Sequence, residues 1–322
     1  MKVRYSYLSQ QFSNCDDLWK NLKNFVKTGD FTLGKELTKF EKKFAKLIGT
    51  KYAVGVNSGT DAIKLSLKVI GIKPGDEIIT AANTFVATVG AICELGAKPI
   101  FVDCDDSFCI DTSLIEKKIT KKTKAIVPVH FTGYMTNMVK LNKISKKYRI
   151  PVVEDACQSI LASINKKNSG TWSDFGAFSL HPLKNINVWS DGGIIVTSNK
   201  KHYEHLKLLR NHGLVDRDNV KISGYNSRLD TLQAVVGNWL IPSAKSIANK
   251  RIKNANYFDK KFKDIKEISI PPRLKNYKIV YHLYIVFAEN RDKLLKYCLK
   301  KGIEAKIHYP IPMYRQPAMK FL

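Results

Sequence analysis

Seven short apolar runs, at residues 52–56, 77–81, 99–102, 124–129, 150–154, 176–180 and 193–197, limit what this chain can fold into more than any other feature. Between several of them lie amphipathic stretches, at 61–70, 85–95, 113–119 and 138–148. A strand without polar alternation is buried on both faces, and parallel neighbours are joined by helical crossovers. The pattern predicts an α/β fold: a mostly parallel, seven-stranded sheet with helices on both sides. Ser113-x-x-Glu116 reads as a capping box opening the third helix. Past the sheet, a helix-like stretch from about 229 to 257 leads to a strand at 278–287 and a helix at 292–301. The expected domains are a large one with an N-terminal arm, residues 1–240, and a smaller C-terminal α+β one, residues 241–322.

A chain of 322 residues is long enough to bury the core such a pair needs. No run approaches the ~20 apolar residues of a membrane-spanning helix. The start, Met1-Lys2-Val3-Arg4-Tyr5-Ser6, lacks the apolar core of a secretion signal. Six cysteines are scattered without a Cys-x-x-Cys pair, which argues against a zinc or iron–sulfur centre. No metal is expected, and the thiols suit the reducing cytoplasm. The net charge of +26 requires an account. Lysine supplies 45 of the 54 basic residues, mostly on polar helix faces, whereas nucleic-acid readers favour arginine in a concentrated patch. Nucleic acid is therefore not the expected partner. A lysine-biased composition, or attraction of anionic substrates, accounts for the surplus.

In open α/β sheets ligands bind beyond the carboxyl ends of the strands, and the chemistry-bearing residues gather there. Asn57-Ser58-Gly59-Thr60 follows the first strand and opens a helix, whose free N–H groups suit a phosphate that Gly59 lets come close. The same triplet also serves as an ordinary cap. Phe85 starts the next helix and offers a ring to stack on a planar ligand, or to pack in the core. Asp155 follows the fifth apolar run, with Gln158 after it, and Ser179 lies at the end of the sixth, just before Lys184. A lysine amine and a carboxylate so placed are what pyridoxal phosphate needs: a Schiff-base partner and an anion for the ring nitrogen. His130 and His181 lie nearby and read as packing or supporting residues.

Taken in order, these segments resemble the DegT/DnrJ/EryC1/StrS family of pyridoxal-phosphate sugar aminotransferases, of fold type I. The motifs run from the Phe40-Glu41-x-x-Phe44-Ala45 entry through Asn57-Ser58-Gly59-Thr60-Asp61-Ala62, Val152-Val153-Glu154-Asp155-Ala156-Cys157-Gln158 and Phe178-Ser179-Leu180-His181-Pro182-Leu183-Lys184-Asn185. They continue with Asp191-Gly192-Gly193, Arg210-Asn211-His212-Gly213, Gly224-Tyr225-Asn226-Ser227-Arg228-Leu229-Asp230 and Ile307-His308-Tyr309-Pro310. The resemblance implies that Lys184 carries the cofactor as a Schiff base and that Asp155 pairs with its ring nitrogen. It puts Phe85 on the ring, Gln158 at its other side, and Gly59, Thr60 and Ser179 on the phosphate. It implies a homodimer with shared sites, Asn226 reaching the phosphate of the neighbouring subunit, and Arg228, His308 and Tyr309 near the substrate.

The implied reaction is a two-stage transfer. An amino acid, L-glutamate by the family's pattern, gives up its amine, and a keto- or aldehydo-sugar accepts it, in amino-sugar and cell-surface polysaccharide biosynthesis. Two features depart from the common pattern. Trp189-Ser190-Asp191-Gly192-Gly193 resembles a subset acting on unusual oxo-sugars, including those making 8-amino-8-deoxy-octulosonate, and Trp189 reads equally as packing. Family members usually run on for several tens of residues past the segment that ends here at Leu322, so the small domain is expected to be incomplete. Two other readings share the fold. A sugar dehydratase replaces the lysine, often by histidine, so Lys184 argues against it. A non-catalytic regulator or nucleic-acid binder rests on the net charge alone.

Overall fold

The structure, a computed structural model, describes residues 2–320. All seven expected strands form: β1 (Tyr52–Val56), β2 (Glu77–Ala81), β3 (Lys98–Val102), β4 (Thr123–Val127), β5 (Val153–Asp155), β6 (Phe175–Ser179) and β7 (Gly193–Thr197). Two ladders, β1-β7-β6-β5 and β3-β2-β4, are joined by parallel bridges from Ile126 to Val152 and from Val129 to Asp155. The result is one sheet of order β1-β7-β6-β5-β4-β2-β3. Only β7 runs against its neighbours.

Side chains alternate between the faces of a strand, and both faces here are apolar. Ile79, Ile126, Phe178 and Ile194 enter one buried cluster, while their chain neighbours Ile78, Val127, Ala177 and Ile195 enter another on the opposite face. Each such buried Ile or Phe contributes about 1.5–3 kcal/mol relative to exposure. Continuous apolarity in the sequence thus reports a sheet covered twice.

The helix Gly59–Ile70 fills the second cluster with Ala62, Ile63, Leu65 and Leu67. Ser58 caps it, its hydroxyl accepting the Asp61 N–H at 3.1 Å, and Gly71 ends it at φ 90°. Two of the motifs serve packing. Glu41 accepts the Gly55 N–H at 2.7 Å and pairs with Arg210, whose guanidinium also donates to the Gly55 carbonyl at 2.9 Å. This buried pair ties the helix Lys35–Ile48 to β1.

Three expected elements differ. The stretch at 113–119 holds only a 3-10 turn, Glu116–Lys118, and the capping box does not form. Ser113 instead turns back, its N–H and hydroxyl both donating to Asp111 at 2.9 and 2.7 Å, an Asx turn that competes with helix. The long helix is broken at Pro242 into Thr231–Leu240, a 3-10 turn, and Ala244–Phe262, because proline lacks the N–H the ladder needs. The expected strand at 278–287 pairs only at its ends, Tyr277–Lys278 with Ser163–Ile164 and Phe287–Ala288 with Ile268–Ser269. Between them the backbone crosses Thr132–Gly133, taking single bonds from Val280 to Gly133 at 3.2 Å and from Leu283 to Thr132 at 3.3 Å. Close approach requires a glycine there: a Cβ on Gly133 would stand 2.6 Å from the Tyr281 nitrogen. The final helix is Arg291–Lys300, as expected to within a residue. Ala244, Ala248, Ala255, Ile279, Val280 and Tyr281 share the apolar cluster of Phe44, Phe178 and Ile194, so this part of the chain packs directly on the sheet.

Candidate active site

The carboxyl edge of the sheet brings the strand-end residues together by register. Gly193, at the start of the antiparallel β7, sits opposite both Val56 of β1 and Ser179 of β6. Asp155 lies one strand further, opposite Ala177. The turn after β1 crosses Gly193 so closely that a Cβ there would meet the Ser58 carbonyl oxygen at 2.1 Å. This is the physical content of the Asp-Gly-Gly motif. It lets Gly59 settle against the neighbouring strand, where its own Cβ would stand 2.8 Å from the Ser179 Cβ and 3.0 Å from Cys157 Sγ.

A helix start leaves its first N–H groups without intrahelical partners. Here the Asp61 N–H goes to the Ser58 hydroxyl and the Ala62 N–H to the Ser58 carbonyl at 2.9 Å. Among the described residues the N–H groups of Gly59 and Thr60 take no backbone partner, and Gly59 packs against Ser179, whose hydroxyl accepts the His181 N–H at 3.3 Å. Backbone donors at a helix N-terminus, a close-approach glycine and a hydroxyl are a set whose chemistry suits a phosphate.

Asp155 is buried, and its carboxylate is fixed from two sides. Oδ2 accepts the Thr88 hydroxyl at 2.7 Å and Oδ1 accepts the Cys157 N–H at 3.2 Å. Since Thr88 spends its proton on Asp155, the 2.7 Å contact between the Thr84 and Thr88 hydroxyls makes Thr84 the donor to Thr88. A carboxylate has lone pairs to spare after two such bonds, enough for a pyridinium N–H. Sequence reading missed Thr88, which lies in the first turn of the helix Val86–Glu94, with Thr84 just ahead of its N-cap.

Lys184 sits in the loop after β6, half-buried, with Asp155 and Cys157 close enough to act on its charge. Burial lowers its pKa and the two neighbours oppose this without cancelling it, so the amine loses its proton at a lower pH than a free lysine does. The loop is tethered on both sides: the Lys184 N–H donates to His181 at 2.8 Å, Asn187 donates to the Lys184 carbonyl at 3.1 Å, and Asn185 donates to Val280 at 3.2 Å.

Tyr309 closes the aromatic wall. Its ring lies 5.9 Å from that of Phe85, which is 50% exposed, and 5.8 Å from that of Phe131. Burial and the charge of Asp155 raise its pKa, so it is a neutral phenol beside Gln158. Gln158 also accepts the Thr132 N–H at 2.7 Å. His308 stacks on Tyr5 with ring centroids 6.2 Å apart, its Nε2 3.3 Å from the Tyr5 hydroxyl. Asn226 and Arg228 lie elsewhere in the chain's own contacts. Asn226 is exposed and bridges Asn211 through its backbone, while Arg228 donates to the Asn211 side chain at 3.1 Å. Between them Ser227 donates to Asp61 at 2.6 Å, tying the segment to the first turn of the cradle helix.

The neighbouring candidates resolve into supporting parts. His130 is buried 2.9 Å from Glu154, which also takes the Gly170 and Trp172 N–H groups. His181 is largely exposed; the partial desolvation of its ring and the charge of Lys184 lower its pKa. Trp189 packs 5.1 Å from Trp19 and 5.7 Å from Phe12, against the helix Asp16–Val26. Among the described residues no helix is long and apolar enough to cross a membrane.

The site fits pyridoxal phosphate on its geometry, and comparison with known proteins agrees. The model of the DegT/DnrJ/EryC1/StrS aminotransferase family matches residues 14–321. A Geobacillus stearothermophilus protein named pleiotropic regulatory protein is 34% identical, over 100% of this chain and 88% of its own length. The dTDP-3-amino-3,4,6-trideoxy-alpha-D-glucose transaminase of Streptomyces venezuelae is 36% identical over 90% of this chain and 77% of its own. The solved S. venezuelae DesV, in complex with a ketimine intermediate, superposes with a TM-score of 0.97 at 33% identity, over 99% of this chain and 86% of that one. Bacillus subtilis NtdA with bound pyridoxamine phosphate gives 0.89 at 31%, over 99% and 75%. The chain is a pyridoxal-phosphate enzyme of the DegT/DnrJ/EryC1/StrS aminotransferase family.

Proposed function

We propose that this enzyme moves the amine of L-glutamate to the keto group of a nucleotide-linked sugar. The observation that carries the reading is the pairing of Lys184, held below the usual lysine range, with a buried Asp155 fixed by Thr88, above a cradle closed by Gly59 and Ser179. The N–H groups of Gly59 and Thr60 and the Ser179 hydroxyl hold the phosphate. Asp155 would keep the ring nitrogen protonated, with Phe85 available to cover the ring and Gln158 to contact it. When bound, pyridoxal phosphate supplies the electron sink for a carbanion next to the transferred nitrogen. The freed Lys184 amine takes the proton from the donor's α-carbon, a task for which its lowered pKa suits it.

Exposed Asn226 is free to reach a second subunit, which supports a homodimer with shared sites. Arg228, His308 and Tyr309 are assigned to the substrate, and the chain is divided at about residue 240 into large and small domains. Relatives named for UDP-N-acetyl-3-dehydro-glucosamine and for UDP-2-acetamido-2-deoxy-3-oxo-glucuronate, each 35% identical, support a nucleotide-linked 3-oxo sugar as acceptor. Six unpaired thiols support a cytoplasmic setting. The test is spectroscopic. Protein loaded with the cofactor should show a visible band that L-glutamate bleaches and a 3-oxo sugar nucleotide restores. Lys184→Ala should lose the band, and a wild-type protein without it would refute the reading.

A further inference from the structure

Lys64 is the most buried lysine among the described residues, on the same helix, Gly59–Ile70, whose open end suits a phosphate. Its chain neighbours Ile63 and Leu65 belong to an apolar cluster, so its ammonium has given up water and needs compensation. The Nζ lies 2.9 Å from Asp61 Oδ1, 3.0 Å from Glu94 Oε1 and 4.7 Å over the Tyr225 ring. Burial alone would lower the pKa of this amine, but the bonds to Asp61 and Glu94 outweigh burial and raise it. Lys64 therefore stays charged. Glu94 ends the helix Val86–Glu94 and is 54% exposed, so water screens its charge and its part is to hold the amine. Asp61 is the opposite case. Its side chain is only 15% exposed, and its Oδ2 accepts the Ser227 hydroxyl at 2.6 Å. Both carboxylate oxygens are thus engaged, one by an ammonium and one by a hydroxyl.

Asp61 stands where a phosphate site has least use for an anion. It is the third residue of its helix, its own N–H taken by Ser58, and Gly59 and Thr60 immediately precede it. An acid in a first turn suits the helix dipole, but a phosphate dianion competes for that same end and is repelled. A carboxylate there can also fold back on the helix's free N–H groups, as the acid of a capping box does. Lys64, three residues on, answers both: it neutralises the charge and, with Ser227, fixes both oxygens. We propose that Lys64 is a positioning residue for phosphate binding, the counter-ion that lets an acid stand in the first turn of the cradle helix. The inference rests on the cofactor reading above and adds a residue that acts on the phosphate only through Asp61. A rival role is visible in the same contacts. Tyr225 and Ser227 flank Asn226, so the network could serve only to brace that segment.

The test titrates pyridoxal phosphate, and pyridoxal without the phosphate, into cofactor-free protein and follows the visible band. Lys64→Met keeps most of the stem and removes the charge. It should raise the Kd for pyridoxal phosphate about tenfold, as one uncompensated charge near the phosphate would, and leave that for pyridoxal within about twofold. In Asp61→Asn/Lys64→Met no charge is left to balance, and pyridoxal phosphate binding should return to within about threefold of wild type. A mere brace behaves differently: the second substitution would add damage instead of removing it. An unchanged Kd in Lys64→Met, an equal loss for pyridoxal, or no recovery in the double variant each overturns the proposal. Should Lys64→Met not fold, Asp61→Asn decides alone: it must bind pyridoxal phosphate at least as tightly as wild type, and weaker binding overturns the proposal. A wild-type protein that shows no band with pyridoxal phosphate refutes the cofactor reading itself, so the two failures are distinguishable.

Discussion

The two sides of Lys184 are built by different means. On the Asp155 side, groups stand on strand ends and a helix start, and each polar atom that matters has a partner: Thr88 and the Cys157 N–H on Asp155, Ser58 on Asp61. On the Arg251 side they come from a helix flank, an irregular crossing and a segment near residue 308, and three buried polar atoms have none. The first side is complete as a protein structure and needs only a flat, phosphorylated guest. The second leaves the Arg251 guanidinium with neutral partners only and leaves an acceptor, Asn185 Oδ1, unpartnered.

The largest expected effect tests whether the closed side serves both halves equally. Asp155→Asn keeps the shape and the Thr88 contact but removes the charge proposed to hold the ring nitrogen protonated. A charge-assisted bond of about 3 kcal/mol corresponds to roughly a hundredfold fall in rate. Single-turnover rates with L-glutamate and with the sugar should fall together. A loss in one half only would break the comparison.

Next comes the fit of the cradle. Gly59→Ala puts a methyl 2.8 Å from Ser179 and 3.0 Å from Cys157. Overpacking of this kind costs about 1–3 kcal/mol, to be read as weaker cofactor binding and a lower melting temperature of the loaded enzyme. Unchanged cofactor affinity would mean the edge is looser than its register implies.

The closed side was also the legible one. Each of its members sits next to a strand whose apolar run announces itself, so Gly59, Asp155, Ser179 and Lys184 fall where the strand-end rule puts them. Thr88 was missed because a threonine in an apolar helix looks like packing until its partner is known. Arg251 and His282 carried no local signal. Arg251 is one of several basic residues on a polar helix, and His282 lies in a run that reads as a strand but crosses Thr132–Gly133 instead of pairing. Periodicity reports ladders and helix faces, not the hydrogen bonds by which Arg251 holds the irregular crossing at Tyr281 and His282. The capping box at Ser113 failed for a related reason: the motif was present, but Asp111 offered the serine a nearer bond.

A smaller effect separates positioning from chemistry within the closed side. Thr88→Val is nearly isosteric and takes one donor from Asp155, leaving its Cys157 contact. Loss of one bond to a charged acceptor, about 1–1.5 kcal/mol, gives a five- to tenfold fall in kcat. The visible band of the loaded enzyme should then titrate at a different pH, because the carboxylate facing the ring nitrogen has lost the hydroxyl that orients it. A lower kcat with an unmoved titration would assign Thr88 to packing alone.

The smallest expected effect concerns Lys184 before any cofactor arrives. Burial lowers its pKa from the usual 10.5, with Asp155 and Cys157 pulling the other way and losing. In the window between the lowered value and 10.5 the unfolded chain binds a proton that the native chain does not. Stability of the cofactor-free protein therefore rises with pH across that window. Below the window the native chain holds a buried ammonium, and the destabilisation is present in full. Lys184→Met fills similar space without a charge, so the cofactor-free variant should melt higher than wild type at neutral pH, and the gap should narrow as pH climbs toward 10.5. Urea titrations of both proteins at a series of pH values measure this. A gap that stays constant would mean the lysine is hydrated in the empty site. It would then owe its neutral form to the cofactor's charge rather than to the fold, and the closed side would be closed only when loaded.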